Sequence, residues 1–435
     1  MSALTPARRL ALRVLTRVGR GGETLADALA ARDVVDLEPR ERSFLHELTL
    51  GTLRLRGLLD HALAPHVDRP LHLLDPVALD ILRLGAHQML HLRVPDRAAV
   101  SQAVELAKER VPRASGFVNA VLRGLARAGP ASVPDPGTDP RSWLTTAGSL
   151  PPWLADRWIE RLGPAGALAR ARRFLEPGPT SVRLNPRVED APARCREAGV
   201  ELLPLAVPGA FLVEGGRTTD LTAQGVLYPQ DQGSQLVGRL AAGAGLALDA
   251  CAAPGGKALL MADLAGGDGR VVAAEPSPRR LRTMAELARR WGSPNVTLVR
   301  ADAGRPPFAS RFDTVLLDAP CSGLGTLGRH PDIRWRIRPG EIERQAGRQG
   351  RLLASVSRLV RPGGRLVYAT CSLEEEETTA VVLAFLAKTP AFRRATLPDW
   401  TGDFVDPDGF VRTRPEREAA DGFFAAALER APDGL

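Results

Sequence analysis

From Leu246 onward the chain repeats one rhythm: a short apolar run, a loop, then a helical pattern. The runs are LALDA (246–250), RVVAA (270–274), VTLVR (296–300), TVLLD (314–318) and RLVYA (365–369). Runs this apolar leave no polar face for water, so they belong in a sheet covered on both sides, with the intervening helical patterns as the cover. That arrangement is an α/β fold with a mostly parallel sheet. In such sheets ligands bind beyond the carboxyl ends of the strands, so the residues at those ends become the first candidates for chemistry.

The rest of the chain differs in kind. Residues 5–128 read as helices: Val100, Ala103, Val104, Ala107 and Val111 share one face, Asp96 can cap that helix, and Asp75 followed by Pro76 opens another. The stretch GPASVPDPGTDP, 129–140, holds four prolines and two glycines in twelve residues and reads as a linker. Beyond it, Trp153, Leu154, Trp158 and Leu162 mark a helical patch, and TSVRLNP (180–186) reads as a strand running into a turn. The expected organisation is therefore an all-α bundle (1–128), a Pro/Gly-rich linker (129–150), a small α+β subdomain (151–235) and a catalytic α/β domain (236–435).

Charge narrows the partners. The net charge is +8, and the positive side chains are arginine except at Lys108, Lys257 and Lys388. Arginine forks match phosphate oxygens and stack on bases, which favours a polyanion, although a genome-wide preference for arginine codons would also skew the ratio. MSALTPARRL lacks an apolar leader and no run of about 18 apolar residues follows, so a cytoplasmic chain without a membrane partner is expected. The four cysteines show neither CxxC spacing nor a disulfide framework. His87 and His91 are four apart, but HQMLH lacks the HExxH glutamate, so no metal is expected.

Three segments at strand ends carry chemistry. DACAAPGGK (249–257) places glycines where the backbone can approach a ligand, yet it has neither GxxxxGK[ST] nor GxGxxG spacing, and alone it could be a bare tight turn. It is joined by Glu275, Asp302 and Asp318, each at or just after a strand end. One acid there is usually a turn residue; four in succession, with Asp249, suggest a nucleoside pocket. DAPCSG (318–323) and ATCS (369–372) each set a cysteine just past a strand. An isolated cysteine is most often a small buried apolar residue, whereas two at neighbouring ends suit covalent addition to an electron-poor ring.

These segments resemble the Sun (Fmu, RsmB) family of bacterial ribosomal RNA cytosine-5 methyltransferases. The similarity rests on DACAAPGGK, DAPCSGLGTLGRHPDIRW (318–335) and ATCSLEEEE (369–377), and extends to RLNP (183–186), YPQDQGSQL (228–236) and DGFF (421–424). The helical bundle looks like the NusB-like RNA-binding domain that this family carries. The resemblance implies a Rossmann-like core, S-adenosylmethionine as methyl donor and S-adenosylhomocysteine as product. It implies small-subunit ribosomal RNA as partner, and we expect a monomer. Cys251, Ala252, Ala253, Pro254, Gly255, Gly256 and Lys257 would surround the methionine part of the donor. Glu275, where relatives often have aspartate, would hold the ribose, Asp302 would contact the adenine, and Asp318 would also border the donor.

A thiolate adding at carbon 6 makes carbon 5 of cytosine nucleophilic, and Asp318 would act at N3 as general acid. Lys257 and helix N-termini are the positive features available to lower a thiol pKa. Spacing leaves open which cysteine attacks: the Pro-Cys thiol of DNA cytosine methyltransferases would correspond to Cys321, whereas the resemblance implies attack by Cys371 and release by Cys321. Arg329, Arg334, Trp335, Arg336 and Arg338 would meet unstacked RNA, unless they form a solvated surface with Trp335 as a core anchor. The five arginines from Arg279 to Trp291 read as a solvated helix face. Two rivals remain: the same chemistry on another ribosomal or transfer RNA cytosine, and a non-catalytic NusB-like RNA-binding factor. An amino-group methyltransferase would need an NPPY-like loop where DAPC stands.

Overall fold

The computed structural model describes residues 4–432 apart from Gly22 and Ser310. The chain divides into two compact units, Met1–Pro177 with Leu327–Ile337, and Gly178–Thr326 with Arg338–Leu435.

The first unit is helical. Its longer helices are Pro6–Gly19, Pro39–Arg54, Pro76–His91, Asp96–Arg110, Ser115–Ala128 and Pro152–Leu175, the last broken at Gly163 (φ 68°) ahead of Pro164. Asp75 caps as expected, accepting from the Val77 and Ala78 N–H groups. Asp96 instead occupies the first turn of its helix, behind Pro95, and makes no side-chain cap. Leu45, Leu48, Leu59, Ile81, Leu82, Val118, Leu122 and Leu125 lie at the centre of the core.

The Pro/Gly-rich stretch is ordered within this unit. Asp139 caps the short helix Pro140–Thr145, Trp143 and Leu144 are buried, and Gly57 N donates to Ser149 Oγ at 2.9 Å. The helical patch expected in the small subdomain also packs here, with Leu154 and Trp158 buried.

The segment Leu327–Ile337 corrects a second expectation. Arg334 does not face RNA: it is fully buried, and its guanidinium donates to the carbonyls of Ser149 (3.2 Å), Phe174 (3.1 Å) and Leu327 (3.4 Å). Burial, with Arg54 nearby, pulls its pKa down to about 9. Trp335 is likewise an anchor; its Nε1 donates to Leu53 O at 2.7 Å and its ring lies under Arg56. Arg54 closes the segment from the other side, donating to Gly328 O at 3.0 Å. Arg336 is exposed and pairs with the buried Asp332 at 3.3 Å, Arg338 is exposed in the second unit, and Arg329 is half-buried.

The second unit holds two sheets. The smaller, in order β2-β3-β1-β4, is antiparallel and comprises β1 (Ser181–Leu184), β2 (Glu201–Pro204), β3 (Ala210–Gly215) and β4 (Leu227–Pro229). Arg183 fastens it to the larger fold. Buried between the rings of Tyr228 and Trp291, it donates to Gln230 Oε1 (2.9 Å) and Asp263 Oδ2 (2.6 Å). Asn185 Nδ2 donates to Trp291 O at 3.0 Å. The RLNP arginine and asparagine are therefore structural.

The larger sheet comprises β5 (Leu246–Asp249), β6 (Arg270–Ala274), β7 (Val296–Val299), β8 (Phe312–Asp318), β9 (Val360–Thr370), β10 (Phe392–Arg394), β11 (Val411–Arg412) and β12 (Phe424–Arg430). Its order is β10-β12-β9-β8-β5-β6-β7, with β11 beside β12. Strands β7, β6, β5, β8 and β9 are parallel, and β10, β11 and β12 are antiparallel to their partners. Alternate residues feed two cores: Val315, Leu317, Leu366 and Tyr368 on one face, Leu316, Val367 and Ala369 on the other. The chain runs outward from β5 to β7 and returns to lay β8 on the opposite side of β5. The carboxyl ends of β5 and β8 thus flank the switch point, the usual ligand crevice of such sheets. No helix among the described residues is long and apolar enough to cross a membrane.

Candidate active site

Register brings the two cysteine segments together. Strands β8 and β9 are parallel neighbours with Asp318 opposite Ala369, and Ala319 N donates to Ala369 O at 2.8 Å. Both chains leave the sheet at one edge, and Cys321 Sγ lies 3.2 Å from Cys371 Sγ, both half-buried. Two backbone bonds clasp the loops: Gly325 N donates to Cys371 O (3.0 Å) and Gly422 N to Gly325 O (2.7 Å). A Cβ at Gly325 would lie 2.0 Å from Gly422 O, so only glycine permits this approach.

Lys257 enters from the first turn of the helix Gly256–Leu264. Its Nζ is 2.7 Å from Asp318 Oδ2 and 5.1 Å from the centre of the Phe423 ring. Burial opposes its charge, but the hydrogen-bonded carboxylate of Asp318, aided by Asp249, raises its pKa and keeps the ammonium protonated. The Cys321 thiol is held well above its ordinary range by the hydrogen bond with Cys371 and by burial, with the charges of Glu377 and Asp318 adding to the effect. Either sulfur can be the donor in this contact.

Asp249, at the end of β5, is fully buried, and neither carboxylate oxygen has a well-formed hydrogen bond among the described residues; the Cys251 N–H gives slight help. Burial, reinforced by Asp318 and opposed by Lys257, pushes its pKa up to about 7. The Cys251 thiol is pushed up by burial and by Asp249, Asp318 and Glu275, so it stays protonated.

The loop following β5 is fixed on both sides. Ala252 N donates to Ala274 O at 2.9 Å, the Ala253–Pro254 bond is cis, and Gly255 has φ 113°. Ala252, Gly255 and Gly256 are buried, Ala253 and Lys257 half-buried, and Pro254 exposed. A Cβ on Gly256 would meet the Tyr228 ring at 2.7 Å. Glu275 is buried, accepting from Ser277 N at 2.9 Å and pairing with Arg280 at 3.1 Å, while Arg280 also donates to Ala253 O at 3.1 Å. Arg280 thereby ties the loop after β5 to the end of β6, a task its place in an arginine-rich helix did not signal. Asp302 is exposed, and one of its oxygens accepts from Gly304 N at 2.8 Å.

Lys257, Asp318, Cys321 and Cys371 come together as their positions at strand ends suggested. Three supporting residues escaped sequence reasoning. Glu377 is fully buried and accepts from Ser322; Gln349 donates to Glu377; Phe423 carries the Lys257 contact. Glu377 is one of four consecutive glutamates, and no local signal separates it from the other three.

The sequence model described as 16S rRNA methyltransferase RsmB/F matches residues 242–429, and that of the NusB family matches residues 5–127. The ribosomal RNA small subunit methyltransferase B of Thermus thermophilus is 39% identical over 99% of this chain and 99% of its own length. A putative methyltransferase of Mycobacterium tuberculosis is 36% identical over 98% of this chain and 97% of its own. Among solved structures, the crystal structure of PH0851 superposes with a TM-score of 0.79 at 26% identity, covering 99% of this chain and 100% of that one.

Proposed function

The chain belongs to the RsmB/F family of 16S rRNA methyltransferases, and from that premise we propose that it methylates carbon 5 of a cytosine in 16S rRNA through a covalent bond from Cys371 to carbon 6. The observation that carries this reading is the 3.2 Å approach of the Cys321 and Cys371 sulfurs, close to the Lys257–Asp318 pair, at the ends of adjacent parallel strands.

The residues present fit S-adenosylmethionine. Asp249 offers buried acceptors with unmet capacity, complementary to a cationic ligand. The glycine-containing loop Cys251–Lys257 would border the methionine part, Glu275, oriented by Arg280, would hold the ribose, and the free oxygen of Asp302 would reach the adenine. When bound, this donor supplies an electrophilic methyl group.

The protein's own groups do the remaining work. Cys371, the cysteine to which the family resemblance gives the attack, loses its proton and adds to carbon 6 as the thiolate, with Cys321 at 3.2 Å. The proton that N3 takes up as the bond forms comes from the Lys257 ammonium, 2.7 Å from Asp318, relayed through the Asp318 carboxylate. Once carbon 5 carries the methyl group, Cys321, deprotonated at this stage, takes the carbon 5 proton, and the electrons left behind form the carbon 5–carbon 6 double bond and expel Cys371 as thiolate. The target base must first leave its stack, which an RNA loop permits more readily than a duplex.

The test is incubation with labelled donor and small-subunit RNA, followed by mapping of the modified base. Cys321→Ala should accumulate a covalent RNA adduct and Cys371→Ala should form none; the reverse pattern would exchange the roles. Label on an exocyclic nitrogen would sink the reading.

A further inference from the structure

We propose that Glu377 is a positioning residue that clamps both cysteine loops and sets the spacing at which the two sulfurs share one substrate; this rests on the two-cysteine reading above. Glu377 lies on the short turn Glu375–Glu377 and is fully buried. Its Oε1 accepts from Ser322 N at 2.7 Å and from Gln349 Nε2 at 3.1 Å, and its Oε2 from Ser322 Oγ at 2.5 Å. Ser322 follows Cys321, and its Oγ is 3.2 Å from the Oγ of Ser372, which follows Cys371. Gln349 Nε2 also donates to Pro320 O at 3.0 Å, on the other side of Cys321. Tyr368 completes the clamp, its hydroxyl donating to Glu377 O at 2.7 Å and lying 3.2 Å from Gln349 Oε1.

The chemistry of the clamp suits an acid. Three donors, the Ser322 N–H, the Ser322 hydroxyl and the Gln349 amide, converge on one group, and a carboxylate is acceptor-only. An amide of the same shape keeps one acceptor oxygen but loses the other and the charge, so Ser322 Oγ would have to turn its proton toward Ser372 Oγ and accept from the new NH₂. The carboxylate does not touch either sulfur in this network, so it acts through the residues flanking them. Its negative charge also disfavours a thiolate at Cys321.

Two variants of the full chain test this, Glu377→Gln and the milder Ser372→Ala, with thermal unfolding as the check on folding. The first readout needs no RNA: iodoacetamide labelling across pH 6–10, resolved by peptide mass spectrometry at each cysteine. Loss of the clamp should raise Cys321 labelling at pH 8 by about fivefold in Glu377→Gln, the effect of a fall of about 0.7 pKa unit, and by about twofold in Ser372→Ala. Labelling of Cys195 should not change. The second readout is methyl transfer to 16S rRNA, where Glu377→Gln should lower kcat by about 10- to 100-fold with KM within about threefold. An unchanged Cys321 profile in both variants, or an unchanged kcat in folded Glu377→Gln, overturns the proposal. If Glu377→Gln does not fold, Ser372→Ala decides by its labelling profile. A Cys321→Ala protein that accumulates no RNA adduct refutes the two-cysteine reading instead, and the labelling profile still judges the clamp.

Discussion

Replacing Gly325 by alanine tests whether a backbone clasp, rather than the cysteines' own side chains, sets the geometry of the site. The added Cβ would lie 2.0 Å from Gly422 O and 2.9 Å from Cys371 O, whereas real Cβ contacts stay at or above 3.0 Å. The segments must therefore part by at least 1.0 Å. Such a shift stretches the 2.7 Å bond from Gly422 N to Gly325 O toward 3.7 Å, outside hydrogen-bonding range. Losing that bond and leaving its buried groups unpaired costs about 2–4 kcal/mol. The same displacement moves Cys321, four residues upstream, relative to Cys371, and a misplacement of about 1 Å lowers a rate by about 10²-fold. Single-turnover methylation of 16S rRNA and denaturant unfolding measure the two effects. Gly340→Ala is the control, because nothing lies within 4 Å of its Cβ position and it sits in the first turn of a helix. A Gly325→Ala protein with wild-type rate and a stability within about 0.5 kcal/mol of wild type would refute the clasp, since that is the scatter of neutral substitutions.

Two further outcomes concern the helical unit. Arg334→Lys keeps the charge but cannot reach three separate carbonyls with one ammonium, so unfolding should show a loss of about 2–4 kcal/mol; an unchanged midpoint would mean that those bonds contribute nothing. His87 is buried, its ring nitrogens lack well-formed bonds among the described residues, and burial, with His91 adding, lowers its pKa to about 4. The unfolded chain therefore takes up a proton near pH 6.5 that the folded chain refuses until about pH 4. His87 then favours folding fully above pH 6.5, and that contribution is lost as the pH falls, by about 2 kcal/mol at pH 5. Urea unfolding at pH 7.5 and 5 should show this fall in the wild type and a smaller one in His87→Leu; equal slopes would contradict it.

Much of the catalytic unit was legible before any coordinates. The alternation of apolar runs with helical patterns announced a parallel sheet, and its strand ends held Asp318, Cys321 and Cys371. The helical unit was less legible at its borders. GPASVPDPGTDP reads as a linker because proline and glycine exclude long regular elements, yet Trp143 and Leu144 just beyond it are buried. Arginine beside tryptophan reads as an RNA surface because both residue types suit one. Arg334 was instead fully enclosed, its partners Ser149 and Phe174 lying 185 and 160 residues away. Arg280 was similarly masked by four other arginines in its helix, and Glu377 by three other glutamates.

The sequence by itself determined which elements form, their order, and which reactive side chains stand where strands end, because periodicity, caps and glycines act over a few residues. The tertiary structure alone decided which of several chemically equivalent side chains are buried, which are bonded, and how closely two sulfurs approach. Those properties depend on partners distant in the chain: Glu377 meets Ser322 across 55 residues, and Cys371 meets Cys321 across 50. A carboxylate or a thiol acquires its role from the donors, charges and exclusion of water that such partners bring.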